Sequence, residues 1–236
     1  MHSISKGSKL KSVSQTAIRL FFPQRCAVCN KVISIGETYC YGCAPKIRRI
    51  SKTFLVSMAS NPSLHFKTGK NTRFNGCIAP FFHQSGSKRT VYNYKFNARS
   101  ELVDLLSYEM ADVYFKYYDD IDFDGICFVP TSFARKLYYG FNHTRLLAKS
   151  VAKRTGLPLL NVLRQIGRKK KQHILRASLR AANVLGVYGV SGDVKGKTLL
   201  LIDDIVTTGA TLNECAKVLK QNGAKAVYCL SANIND

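Results

Sequence analysis

Two stretches of this chain set reactive side chains at spacings that chemistry can use. The first is C-A-V-C at 26–29 followed by C-Y-G-C at 40–43, two Cys-x-x-Cys pairs with ten residues between them. Each pair can fold as a tight turn that aims two sulfurs at one point. Cys26, Cys29, Cys40 and Cys43 therefore supply a tetrahedral zinc site of four thiolates. Asn30, which tolerates left-handed backbone, and Gly42 both suit such turns. Four thiolates leave no open coordination position, so the expected zinc is structural and the finger is a brace or a docking surface. A redox dithiol or an iron–sulfur cluster is the alternative. Cys77, Cys127, Cys215 and Cys229 stand singly in apolar segments and read as core thiols.

The second stretch is LLLIDDIVTTGAT at 199–211. An apolar strand runs into two acids, Asp203 and Asp204, and then into a turn that opens a helix. At the carboxyl edge of a parallel sheet, such a turn presents backbone N–H groups and a helix N-terminus, a natural anion site. Thr207, Thr208 and Thr211 add hydroxyls, while Gly209 and Ala210 let the backbone approach a phosphate closely. Two carboxylates cannot hold that phosphate; they suit vicinal hydroxyls or a Mg2+ ion. A sugar 5-phosphate matches both halves. A simpler reading makes T-L-N-E (211–214) a capping box, with Thr211 as N-cap and Glu214 reaching back, but it leaves the acids unexplained.

Cations mark two further segments. Lys88, Arg89 and Lys95 interleave with Tyr92, Tyr94 and Phe96 in K-R-T-V-Y-N-Y-K-F, a pattern that suits stacking of single-stranded nucleic acid. It equally describes a half-buried strand. R-Q-I-G-R-K-K-K-Q-H-I-L-R (164–176) is the densest basic run; Arg168, Lys169, Lys170 and Lys171, with Arg180 nearby, could contact a phosphate backbone.

The elements that must position these groups are legible in outline. The chain has 236 residues, with 36 Lys and Arg against 14 Asp and Glu, a formal net charge of +22. That is enough length for one full-sized domain and a small appendage, and enough charge to favour a polyanionic partner. Residues 1–20 form a basic tail expected to be disordered, 21–50 the finger, and 51–76 a partly irregular spacer. Residues 77–236 alternate strand and helix patterns, the mark of an α/β domain with a mainly parallel sheet. Strands or a hairpin are expected at 77–83 and 91–96, and strands at 125–130, 183–190, 197–203 and 224–233. Helices are expected at 101–118, 144–156 and 211–223. With neither a signal-peptide core nor an apolar run long enough to span a bilayer, the expected location is the cytosol.

The 199–211 stretch resembles the signature of type I phosphoribosyltransferases: hydrophobic strand, two acids, a short step, then T-T-G-x-T. The resemblance implies that fold over most of 77–236 and binding of 5-phosphoribosyl-1-pyrophosphate (PRPP) with Mg2+. Asp203 and Asp204 would hold the ribose hydroxyls and residues 207–211 the 5-phosphate. It also implies a pyrophosphate loop after Pro130, using Thr131, Ser132, Arg135 and Lys136, a mobile loop at 164–176 and a base-covering hood near 88–96. F-F-P (21–23) before the finger, V-P (129–130), G-F-N-H (140–143) and Q-H-I-L…L-R-A-A-N (172–183) resemble the ComF family of competence proteins. Tyr139 and His143 stand where that family usually has Arg and Gln, and Phe128 where it has Pro. The family implies DNA uptake in natural transformation, single-stranded DNA as partner, and work beside a DNA helicase or translocase at the inner membrane. An active phosphoribosyltransferase and a non-catalytic PRPP sensor remain the alternatives.

Overall fold

A computed structural model describes residues 23–66, 68, 71–96, 99, 101–130, 142–167 and 186–235. The finger comes first, from Pro23 to about Ile50. Helix α1 (Lys52–Ser60) follows, capped by Ser51, whose Oγ accepts from Phe54 N–H at 3.4 Å. Strands β1 (Gly76–Ile78) and β2 (Phe81–Phe82) lead to helix α2 (Ser85–Phe96) and helix α3 (Glu101–Tyr117). Then come β3 (Gly125–Phe128), α4 (His143–Thr155), β4 (Leu163–Gln165) and β5 (Tyr188–Val190). The chain closes with β6 (Thr198–Val206), α5 (Ala210–Gln221) and β7 (Ala226–Ile234).

The main sheet runs β1-β7-β6-β3, with β2 adding to β7, and every pairing within it is parallel. A parallel sheet is covered on both faces, so its central strands read as unbroken apolar runs. Leu199, Leu200, Leu201 and Ile202 on β6 are fully buried for this reason, as are Val227, Cys229 and Leu230 on β7. Helix α5 buries Leu212, Cys215, Ala216 and Leu219, the i, i+3, i+4, i+7 stripe of a helix lying on a core. Helix α4 ends at Gly156, which adopts φ 77° and donates its N–H to Ala152 O, a left-handed glycine stop. β4 and β5 pair antiparallel in a separate two-stranded sheet.

Three expectations are corrected. Residues 91–96 are not a strand and form no hairpin: they are the last turns of α2. Their aromatic β-propensity yields to helical spacing that turns Thr90, Val91 and Tyr94 inward and Arg89, Tyr92 and Phe96 outward. The single strand expected at 77–83 is instead two short ones, β1 and β2, each lying parallel to β7. Residues 51–76 are more than a spacer, since Leu55, Met58, Phe66 and Phe74 enter the main core, with the Phe66 and Phe74 rings edge-on at 5.2 Å. In addition, β6 runs to Val206, beyond the expected end at 203, because β7 continues alongside and pairs Asn233 with Ile205 and Ile234 with Val206. β4 had no strand signal in the sequence. The helices at 101–118, 144–156 and 211–223 and the strands at 125–130 and 224–233 are found within a few residues of their expected ends.

Candidate functional site

The acids sit on β6 where that strand emerges from the core. Asp203 is buried, pairs in register with Ser231, and its Oδ1 accepts the N–H of Asp204 at 2.9 Å. That contact orients the first carboxylate and leaves the second to point elsewhere. Asp204 Oδ2 meets Lys95 Nζ at 2.7 Å, with side-chain exposures of 13% and 24%. The turn that follows carries Gly209 at φ 75°, the left-handed region open to glycine. A second constraint acts at the same position: a Cβ there would lie 2.9 Å from the Phe66 ring, so the loop rests directly on an aromatic side chain from the 51–76 segment.

Gly209 is also the N-cap of α5 and offers no side-chain hydrogen bond to its first turn. The N–H groups of that turn and the positive end of the helix thus face the hollow formed by Asp203, Val206, Thr207, Gly209, Ala210 and Thr211. Carboxylates and helix-start amides lie at the two ends of one short turn, and the Ala210 N–H meets Thr208 Oγ1 at 3.4 Å. The capping-box alternative is overturned: Thr211 lies inside the helix, and buried Glu214 accepts the N–H of Gly186 at 2.9 Å instead of reaching back.

Helix α2 closes the site from above the acids. Tyr94 is buried and donates its hydroxyl to His143 O at 2.6 Å, and His143 Nε2 lies 2.8 Å from Lys95 O. The end of α2 is therefore fastened to the start of α4. Burial pushes the His143 imidazole below its ordinary 6.5, so at neutral pH the ring is uncharged and donates its Nε2 proton to the carbonyl. Burial, with Lys88 and Lys95 nearby, lowers His83 in the same direction. Burial, and secondarily Asp204, raises the Tyr94 phenol. Tyr94 and Lys95 are thus removed from the expected nucleic-acid surface: one is in the core and the other on the acids. Lys88, Arg89 and Tyr92 do face solvent. Phe96, one turn beyond Tyr92, joins them; the two rings lie 4.6 Å apart, and the Arg89 guanidinium sits 5.2 Å over Tyr92. Thr131, Ser132, Arg135, Lys136, Tyr139, Arg168, Lys169, Lys170, Lys171 and Arg180 lie outside the described residues, as does the 1–20 tail.

At the finger, the four Sγ atoms of Cys26, Cys29, Cys40 and Cys43 all lie within 4.8 Å of one another. Cys29 Sγ and Cys40 Sγ are 3.7 Å apart, close to the edge of about 3.8 Å that a tetrahedron of 2.3 Å zinc–sulfur bonds would have. The donor set fits a metal ion. Asn30 takes φ 66° and donates its N–H to Cys26 O, which makes the first turn as expected. Burial pushes the Cys26 thiol up, but N–H groups of Cys29, Cys40 and Val28 outweigh it and hold the thiol down at about 6. Cys77, Cys127, Cys215 and Cys229 are all fully buried, and burial raises Cys127 to about 12, as inert core thiols require.

The finger does not hang free. Asn93 on α2 donates its amide to Ala27 O at 2.8 Å and Val28 O at 3.0 Å, and Arg99 donates to Cys26 O at 2.9 Å and Arg25 O at 3.2 Å. Arg49 forms a two-pronged pair with Glu109 of α3, at 2.7 and 2.6 Å. Sequence reasoning missed these clamps, and also Phe66, because none carries a local signal.

Residues 145–232 match the phosphoribosyl transferase domain family. Competence protein ComFC of Bacillus subtilis is 25% identical over 202 residues, covering 80% of this chain and 81% of that protein. DNA utilization protein YhgH of Salmonella typhi is 34% identical over 110 residues; the chain spans 48% of that relative's length. The solved structure of the allosteric regulatory enzyme of purine biosynthesis aligns over 59% of this chain and 29% of its own, at 19% identity and a TM-score of 0.40. No helix among the described residues is long and apolar enough to cross a membrane. The chain has a type I phosphoribosyltransferase fold with a four-cysteine cluster before it, and it is homologous to the competence protein ComFC.

Proposed function

We propose that this protein binds PRPP, with Mg2+, at the β6–α5 turn and handles single-stranded DNA on the exposed face of α2 during DNA uptake. The observation that carries the ligand assignment is the turn itself: two carboxylates, one shielded from water, and a helix N-terminus lie a few residues apart on one strand end. Asp203 and Asp204 would take the ribose hydroxyls, while Thr207, Thr208, Gly209, Ala210 and Thr211 would take the 5-phosphate. Structural Zn2+ is the metal the four thiolates suit best. A competence helicase or translocase is the partner that the ComFC homology suggests, which would bring a cytoplasmic protein to the inner membrane.

Titration calorimetry with PRPP and Mg2+ tests the site. Asp203→Ala with Asp204→Ala should abolish binding while metal content at the finger stays at one per chain; unchanged PRPP affinity would sink the assignment. For DNA, the support is the Tyr92–Phe96 pair flanked by Lys88 and Arg89, a stacking surface set among cations. Tyr92→Ala should weaken single-strand binding about 5- to 150-fold, as the loss of roughly 1–3 kcal/mol of stacking requires. Lys88→Ala with Arg89→Ala should flatten the dependence of affinity on salt; an unaltered slope would move the DNA surface elsewhere.

Catalytic phosphoribosyl transfer is the second reading, favoured by the shielding of Asp204 and Lys95 from solvent, a condition that protects a reactive sugar centre. PRPP-dependent release of pyrophosphate with nucleobases, amines or single-stranded DNA separates it from binding alone.

A further inference from the structure

We infer that Lys95 makes this site selective for ribose 5-phosphates that carry an anionic group on carbon 1 over bare ribose 5-phosphate. The inference rests on the ribose-phosphate assignment above and concerns what the site rejects.

The ammonium of Lys95 stands 2.7 Å from Asp204 Oδ2, with both side chains mostly withdrawn from water. A ribose hydroxyl that approaches Asp204 must share or take over the carboxylate oxygen that Lys95 holds. A partly buried ion pair parts at a cost, because the freed charge is left without water or partner. Bare ribose 5-phosphate gives the ammonium nothing in return. A diphosphate on carbon 1 does, because that carbon adjoins the one bearing the 2-hydroxyl. With Asp204 on the 2-hydroxyl, an ammonium at Asp204 is already beside the position of the 1-substituent.

The anchoring of Lys95 fits this exchange. Its backbone carbonyl is 2.8 Å from His143 Nε2, and the neighbouring Tyr94 is locked to His143 O. The main chain stays put while four rotatable bonds carry the ammonium. No backbone rearrangement is needed for it to swing from carboxylate to phosphate. Selectivity arises because the good ligand repairs the pair it breaks and the poor ligand does not.

The test measures PRPP and ribose 5-phosphate binding at one Mg2+ concentration for the wild type, Lys95→Met and Lys95→Arg. Methionine keeps the side-chain volume and removes the charge. Lys95→Met should bind ribose 5-phosphate as well as or better than the wild type and PRPP less well, so that the preference for PRPP falls at least fivefold. Lys95→Arg should keep most of the preference. A smaller fall in Lys95→Met, with both affinities moving together, overturns the inference and leaves the ligand assignment intact. A wild-type protein that binds neither ligand overturns both. Unchanged melting temperatures across the three proteins exclude a folding defect as the cause.

Discussion

The contact between Gly209 and Phe66 allows a strict test of how the phosphate turn is built. Gly209→Ala introduces two costs. Alanine at φ 75° pays about 1–2 kcal/mol for left-handed backbone. Its Cβ would also meet the Phe66 ring at 2.9 Å, closer than side-chain carbons pack, and overpacking of this kind adds about 1–2 kcal/mol. The expected total is about 2–4 kcal/mol in urea unfolding, with no change in the slope against denaturant. A double-mutant cycle separates the two parts. In a Phe66→Leu background the ring is gone, and the cost of Gly209→Ala should fall by about 1–2 kcal/mol, leaving the backbone component. Additivity of the two substitutions would refute the contact, and a cost for Gly209→Ala below about 0.5 kcal/mol, typical of an open surface site, would refute the left-handed geometry as well.

Other predictions follow from the clamps and the buried rings. Asn93→Ala leaves the carbonyls of Ala27 and Val28 without their donors, which should cost about 1–3 kcal/mol and raise the rate at which a chelator strips the finger. Equal stripping rates in mutant and wild type would mean that the clamp and the metal site are independent. Stability should fall on acidification: His143 is held below 6.5 in the folded chain, so the unfolded chain takes up the proton first. That stabilisation is present above 6.5 and is lost as pH falls from there through the folded value. Melting at about pH 7.5 and about pH 5.5 should show the drop, with a smaller drop in His143→Gln. Removal of the metal by chelation should lower the melting temperature while the buried thiols of Cys127 and Cys229 stay unreactive until the chain unfolds.

Much of this architecture was legible in the sequence because its signals are local. Strand β6, the acids, the glycine turn and α5 occupy one continuous stretch, and the finger repeats one short motif. Where the reading failed, the deciding force came from far along the chain. The aromatics of 91–96 favour a strand by propensity, yet burying Val91 and Tyr94 together in the core needs helical spacing. Lys95 and Tyr94 read as surface groups because nothing near them in sequence announces Asp204, more than a hundred positions away, or His143. Phe66 lay in a segment whose turn residues suggested a spacer, and only the folded chain reveals the glycine resting on it.

Helix α2 serves several neighbours at once. Asn93 braces the finger, Tyr94 and Lys95 meet α4 and the acids, and Lys88, Arg89, Tyr92 and Phe96 face outward. A twelve-residue segment with so many obligations leaves little room for neutral drift. In a saturation-mutagenesis map of transformation efficiency, α2 should therefore appear as an almost unbroken band of intolerance. The defects along it should be of different kinds from one residue to the next: metal retention at Asn93, ligand choice at Lys95, strand handling at Tyr92.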